Sequence, residues 1–402
     1  MKRSVLTIMV LAFAFILNAQ IVHHGFVRTY MGALTDQDGE YSVLQNTFDW
    51  KLDYGKGDVE LFINPVFNYN ALNNNLEVSL RQAYMDIYFD NFDLRIGKQQ
   101  IIWGKADGVF ITDVISPRDL SEFILPDFEE IRIGINAVKF DYYLGNSTLE
   151  AVWTPTFQPT IVPKKGSIWY QMQDFPMPIV YDYHSYDVGN KLSESEIALK
   201  YSYLGSAIDF ELMAAYMWDD NPAMHIYSQP DTTLLIKPEY HRLPLVGASF
   251  SKAVGGAVVR GEGAYYFEKR FAVEDMAVNG VKEEDYAHYL VGYDHNWFGV
   301  NVSFQFIQEY IIGYEEDIRN DEFSNTMTFL ISEDFLREAL RVEFFTYYGI
   351  NNEDALLRPR IVYDIADGFE FQLGANIFIG EEGNFGQYDK NDMMFIKLKY
   401  DF

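Results

Sequence analysis

The last twelve residues, Asn391-Asp-Met-Met-Phe-Ile-Lys-Leu-Lys-Tyr-Asp-Phe402, decide the fold. Met394, Ile396, Leu398, Tyr400 and Phe402 share one parity, while Phe395, Lys397, Lys399 and Asp401 share the other. Successive side chains of a strand point to opposite faces, so the segment presents one continuous apolar face and one mostly charged face. A soluble edge strand can also alternate, but it would rarely finish on an aromatic residue.

The same period-two pattern recurs along the chain. It predicts strands at 22–33, 41–54, 58–71, 76–89, 92–104 and 131–143, then 147–155, 195–203, 206–218, 241–253, 256–267 and 285–296, and finally 300–311, 322–333, 338–349, 355–366, 369–379 and 391–402. Each approaches or exceeds the roughly 9–11 residues that a tilted strand needs to cross a bilayer. Every second connection is tight and rich in turn residues: Gly55-Lys56-Gly57, Asp90-Asn91, Gly145-Asn146, Leu204-Gly205, Val254-Gly255, Trp297-Phe298-Gly299, Asp334-Phe335 and Asp367-Gly368. The intervening ones are mostly longer, notably 156–194, 219–240, 268–284 and 380–390. This asymmetry is that of an all-β, antiparallel, up-and-down transmembrane β-barrel of eighteen strands, sixteen if one weak hairpin merges, with periplasmic termini and long outer loops.

Composition agrees. Aromatics make up 17% of the residues and charged residues 22%, as expected if alternate positions face lipid and lumen. No Cys is present, which removes disulfides and thiolate metal sites, and the net charge of −28 argues against nucleic acid as a partner. Lys2 and Arg3, the apolar run Val5 to Leu17 and the small-residue site around Ala19 read as a signal peptide over 1–19. Residues 20–402 are then expected to form a single outer-membrane barrel domain, since a span of about 380 residues is ordinary for a large barrel and unusual for a soluble fold.

Trp50, Tyr54, Tyr201, Tyr203, Tyr400 and Phe402 fall near periplasmic strand ends, where aromatic belts collect. Pro65 and Pro359 lie inside expected strands and require bulges or strand ends. Expected partners are outer-membrane lipid and lipopolysaccharide, small-molecule solutes, and the outer-membrane assembly machinery, whose sorting signal the strand ending at Phe402 resembles.

The most distinctive segment is Asp93 to Arg132, DLRIGKQQIIWGKADGVFITDVISPRDLSEFILPDFEEIR. Arg95 and Gln99 share the lumen parity of its first strand, opposite Ile96 and Ile102. The pattern Arg95-x-Gly97-Lys98-Gln99-x-x-x-Trp103-Gly104, followed by Ser116-Pro117-Arg118-Asp119 and Pro126, resembles a widespread family of porin-like outer-membrane barrels and, more distantly, eighteen-stranded alginate-export and other porins. The match covers about 40 residues, and Ser116-Pro117 departs from the family's frequent Asn-Pro. The resemblance implies a channel or exporter.

The connection after Gly104, residues 105–130, is too apolar for a solvated loop, with Val109, Phe110, Ile111, Ile115, Leu120, Phe123, Ile124 and Leu125. It is expected to fold into the lumen, as the third loop of general porins does, carrying Asp113, Arg118, Asp119, Glu122, Asp127 and Glu129 into a constriction. A basic wall on lumen parity would face it: Arg28, Arg341, Arg358, Arg360, Lys397 and Lys399. Fixed charge in a narrow pore selects ions and orients dipolar solutes. The competing reading is a set of structural ion pairs in which Glu343, Asp364, Glu370 and Asp401 neutralise those cations.

No catalytic residue, cofactor or metal site is indicated. The seven His show no paired metal spacing, and no Ser completes a triad with His288 and Asp294. The acids at 315–317, 321–322 and 381–382 read as solvated loops before they read as divalent-ion sites. The favoured reading is a passive channel for small solutes. Its alternatives are a transporter or exporter of hydrophobic or polymeric substrates along Phe110, Ile111, Ile124 and Phe128, and a surface receptor binding through loops such as 156–194, with Trp169, Tyr170, Tyr181, Tyr183 and Tyr186.

Overall fold

The computed structural model describes residues 21–36, 39–171, 177–182, 188–229, 233–274 and 279–402; the expected signal peptide, Tyr183 and Tyr186 lie outside them. The strands begin with β1 (Ile21–Leu34), β2 (Tyr41–Lys56), β3 (Val59–Asn70), β4 (Asn75–Tyr88), β5 (Phe92–Gln99), β6 (Ile135–Leu144) and β7 (Ser147–Thr154). They continue as β8 (Ile179–Tyr181), β9 (Glu196–Leu204), β10 (Asp209–Trp218), β11 (Ala223–Ser228), β12 (Leu234–Glu239), β13 (Arg242–Val254) and β14 (Ala257–Ala272). The last are β15 (Val281–Trp297), β16 (Val300–Ile312), β17 (Phe323–Phe335), β18 (Leu340–Gly349), β19 (Asp354–Ala366), β20 (Phe369–Ile379) and β21 (Met393–Asp401).

Eighteen of these strands form one antiparallel sheet, which closes because β1 pairs with both β2 and β21. Closure leaves no strand edge unpaired, the condition for a sheet to sit in lipid. The merged alternative of sixteen strands is therefore set aside. No helix among the described residues is long and apolar enough to cross a membrane.

The parity read from the last strand is the parity of the wall. Met394 and Tyr400 face outward, whereas Phe395 and Lys397 are buried on the lumen side. Phe402 stacks on Phe48 at 5.9 Å, and its backbone exchanges hydrogen bonds with Gly25 at 3.0 and 3.1 Å. Pro65 sits at a register shift between β3 and β4, and Pro359 has no partner on β20, so neither breaks a ladder bond.

Three expectations need correction. The strand over 92–104 stops at Gln99, and its neighbour starts at Ile135 rather than 131, so the inward connection runs from 100 to 134. The turn at Asp334-Phe335 falls instead at 336–339, where Leu336, Arg337 and Glu338 take positive φ. The loops 156–194 and 219–240 are not wholly irregular: β8, β11 and β12 make a separate three-stranded sheet at the long-loop end, around Ile226, Leu234 and Ile236.

Candidate functional site: a loop across the lumen

Residues 100–134 turn into the barrel because their apolar side chains find a matching wall there. Ile101, Trp103, Ile111 and Ile115 are buried in one cluster with Val152, Ala198, Met213 and Leu245. Burial also removes water from the loop backbone, whose polar groups must find partners. The wall supplies them. Glu262 on β14 accepts from the Lys105 N–H at 2.6 Å, the Thr112 N–H at 2.7 Å and the Thr112 hydroxyl at 2.8 Å. Gln305 on β16 donates to the Asp107 carbonyl at 2.7 Å and accepts from its N–H at 3.2 Å. Arg260 donates to the Lys105 carbonyl at 2.8 Å and ion-pairs with Asp107. The Tyr266 and Tyr347 hydroxyls donate to the carbonyls of Ile111 and Gly108 at 3.0 and 2.7 Å.

The second half of the loop is a hairpin-like tip. Its base is an antiparallel bridge between Arg118 and Arg132, closed by Asp119 N–H to the Ile131 carbonyl at 2.6 Å. A short helix, Phe128–Ile131, ends it. Phe123 adopts φ 57°, unfavourable for a bulky residue, and its ring packs against Trp169, Phe378, Phe385 and Tyr388. Arg358 on β19 donates to the carbonyls of Ile124 at 3.3 Å and Leu125 at 2.7 Å, and to Asn376 at 3.2 Å. Arg28 grips Glu130 at 2.9 and 3.1 Å, and Lys51 meets Glu129 at 2.8 Å.

The loop carboxylates divide by environment. Burial alone would raise the Asp127 pKa, but Lys397, Arg28, Arg360 and Arg358 together hold it below the usual value. Glu129 is likewise held low, with Lys51 overcoming burial. Burial pushes Glu122 up, reinforced by Glu130 and Asp119, and pushes Asp113 up despite Arg132, whose Nε is 2.7 Å from it.

Beside the tip lies a cavity of about 240 Å³, lined by Asp107, Asp127, Glu343, Arg358, Arg360 and Lys397. It shares Asp127, Arg360, Gln372 and Lys397 with a second of about 390 Å³, which reaches Arg341 and Lys399 near the short-turn end. A third, of about 480 Å³, lies against Asp119, Glu122 and Lys164, and it too contains Lys397. Lys397 thus borders all three.

The other expected residues are placed as follows. Glu343 pairs with Arg360 at 2.6 Å, Lys399 with Asp401 at 2.8 Å and Arg341 with Asp334 at 2.7 Å. Arg95 is held by Asp86 at 2.6 and 2.8 Å over the Tyr84 ring, away from these cavities. Gln99 does not line the lumen: it is fully enclosed where β5 turns inward and donates to the Ala137 carbonyl at 3.0 Å. Arg118 lies over the Phe110 ring, 5.2 Å from its centre. Among the described residues Arg358 and Lys397 have no carboxylate within ion-pair distance. The competing reading of structural ion pairs thus describes Arg360, held by Glu343, but not Arg358, which contacts loop carbonyls instead. Sequence reasoning missed Glu262, Gln305 and Arg260, because nothing local marks a strand residue as the partner of a loop some 150 to 200 positions away. It also missed a His225, Glu239 and His241 cluster at the long-loop end of the barrel.

A closed eighteen-stranded barrel with a long loop pinned across its lumen has the architecture of a porin-like membrane channel. The chain belongs to the family described as "Protein of unknown function (DUF1302)", which matches residues 33–402. No match is found among curated protein sequences. Similar solved structures include OccK2 (OpdF) of Pseudomonas aeruginosa, at TM-score 0.60 and 11% identity over 95% of this chain and 98% of that one. OccK2 was also solved in complex with glucuronate, with TM-score 0.58, 10% identity and the same coverage. OccAB1 of Acinetobacter baumannii aligns at TM-score 0.59 and 9% identity, covering 96% of this chain and 98% of that one.

Proposed function

We propose that this protein is an outer-membrane channel for passive passage of small solutes, with a preference for anionic ones. Its outer face meets outer-membrane lipid and lipopolysaccharide, its termini face the periplasm, and loop tip 119–131 forms the constriction. One observation carries the reading: three cavities flank the tip and share Lys397, and among the described residues Lys397 and Arg358 have no carboxylate within ion-pair distance. In the first cavity these two cations stand against one carboxylate, Asp127, that likewise lacks an ion-pair contact. Such charges attract anions in a confined lumen and repel cations. The remote acidic loops that dominate the net charge are screened beyond about 8 Å at physiological salt. Glucuronate in OccK2 is a sugar acid of the expected type. The apolar exporter path has less support: Ile111 is fully buried against the wall and Phe110 lies beneath Arg118 and Arg132, while Phe128 borders the first cavity. No catalytic chemistry is assigned. In proteoliposome swelling, a sugar carboxylate should enter faster than its neutral parent sugar; equal rates, or faster uptake of an amino sugar, would reject the anion preference.

A further inference from the structure

We infer that His225, Glu239 and His241 form a binding site for a divalent transition metal, of which Zn²⁺ and Cu²⁺ are the natural probes, at the long-loop end of the barrel. His225 lies on β11, Glu239 ends β12, and His241 immediately precedes β13. The turn back from β12 into the barrel thus brings His225 to His241, 16 positions further on, and to Glu239 beside it. The two imidazole Nε2 atoms face each other at 3.0 Å, and a Glu239 carboxylate oxygen stands 3.9 Å from that of His225. All three donor atoms lie within 4.8 Å of one another. Two nitrogens bound to one tetrahedral ion at about 2.0–2.1 Å would lie roughly 3.3 Å apart, so little movement separates the present geometry from coordination.

The donor set selects the ion. Two imidazoles with one carboxylate suit Zn²⁺, Cu²⁺ or Ni²⁺, while Ca²⁺ and Mg²⁺ require more oxygens than the cluster offers. Both imidazoles are half-buried, and a neutral imidazole is the form that binds a metal ion. Arg270 on β14 is occupied by Glu283 at 2.5 Å and by the Glu268 carbonyl at 2.8 Å, and Lys237, opposite His225 on β12, lies over the Tyr227 ring and 3.9 Å from Asp182. Three protein donors leave a fourth position for water or an external ligand. A bound ion would staple the β11–β12 hairpin to the barrel strand that follows it, reinforcing the Ile226 N–H bond to the Asn279 carbonyl at 2.7 Å. This site is separate from the lumen and does not depend on the transport reading.

The competing account is a hydrogen bond between two neutral imidazoles, which also fits 3.0 Å. Titration of the untagged, detergent-purified full chain with ZnCl₂ separates the two. One Zn²⁺ should bind per chain, and His225→Ala or His241→Ala should each weaken it by at least about 100-fold, since even outer-shell changes cost 10–100-fold. Ca²⁺ should not compete. Cu²⁺ bound to the wild-type chain should show coupling to two imidazole nitrogens in its electron paramagnetic resonance spectrum, a readout that needs no variant to fold. Absence of Zn²⁺ binding, binding untouched in a correctly folded His225→Ala/His241→Ala chain, or a Cu²⁺ spectrum with oxygen donors alone would overturn the assignment.

Discussion

Arg358 combines two roles that substitution can separate. Its guanidinium holds the tip through the carbonyls of Ile124 and Leu125, and its charge stands beside the passage. Arg358→Gln removes the charge; Arg358→Lys keeps it but loses the planar fork that reaches two carbonyls at once. The electrostatic part follows from Coulomb's law: one unit charge acting on an ion about 6 Å away through water gives about 0.7 kcal/mol. Screening over about 8 Å at 0.15 M salt roughly halves this to about 0.3 kcal/mol. The anion loses that attraction and the cation escapes the same repulsion, so their permeability ratio should fall about threefold in Arg358→Gln. In 1 M salt, where the screening length is about 3 Å, the change should shrink to about 1.4-fold. Arg358→Lys should hold the wild-type ratio while its current grows noisier, because hydrogen bonds to a charged donor contribute about 1.5–3 kcal/mol each and two are disturbed. Reversal potentials in planar bilayers under a salt gradient, at both ionic strengths, measure this. If Arg358→Gln left selectivity unchanged at 0.15 M, or Arg358→Lys shifted it equally, the charge would have no part in permeation.

Three further outcomes follow from the same contacts. Glu262→Ala strips three charge-assisted bonds from the loop and should cost about 3 kcal/mol of local docking after rehydration, lowering hydrogen-exchange protection of the Lys105 and Thr112 amides by about 100-fold. Asp127 and Glu129 have pKa values depressed in the folded loop, so the stability they contribute is present above their ordinary 3.8 and 4.5 and is lost as pH falls through the lower folded values, whereas Glu122 and Asp113, raised by burial, take up protons first. Conductance of a Glu122→Gln/Asp113→Asn channel should therefore hold steady on acidification until the pH falls below the ordinary values of Asp127 and Glu129. Replacing Tyr400 and Phe402 by Ser removes the outward aromatics of the closing strand, including the Phe48 stack, and should sharply reduce the heat-modifiable barrel recovered from outer membranes.

The wall was legible in the sequence because its signal is local: parity within each strand and turn residues between neighbours. Met394 to Phe402 set the inside and outside of β21, and the same rule placed Arg28, Arg360 and Lys397 inward. It overran at Ile101 and Trp103, whose alternation continues past Gln99 although the chain has left the wall. Extended backbone looks the same to periodicity whether or not a neighbour pairs with it. Partnership was not legible. Arg358 looked like a charge awaiting a carboxylate, and only the folded loop supplies the carbonyls it holds. Nothing distinguished Glu262 from other strand acids, and His225 in a long loop had no visible relation to His241 at the start of the next strand, because their meanings arise from contacts that topology alone creates.

If the tip of the inward loop narrows a conducting lumen, as proposed, removing the tip must widen it. The Arg118–Arg132 bridge and the Asp119–Ile131 hydrogen bond close the tip at its base, so residues 120–130 can be replaced by a two-residue Asn-Gly turn without disturbing the barrel wall. Single-channel conductance of this variant against wild type, both checked for heat-modifiability, is the direct measurement. Wild type should give stable ohmic steps, and the shortened loop should give larger ones with weaker ion selectivity. Steps of unchanged size from a correctly assembled variant would rule out a constriction at the tip, and no steps from wild type would rule out a conducting lumen.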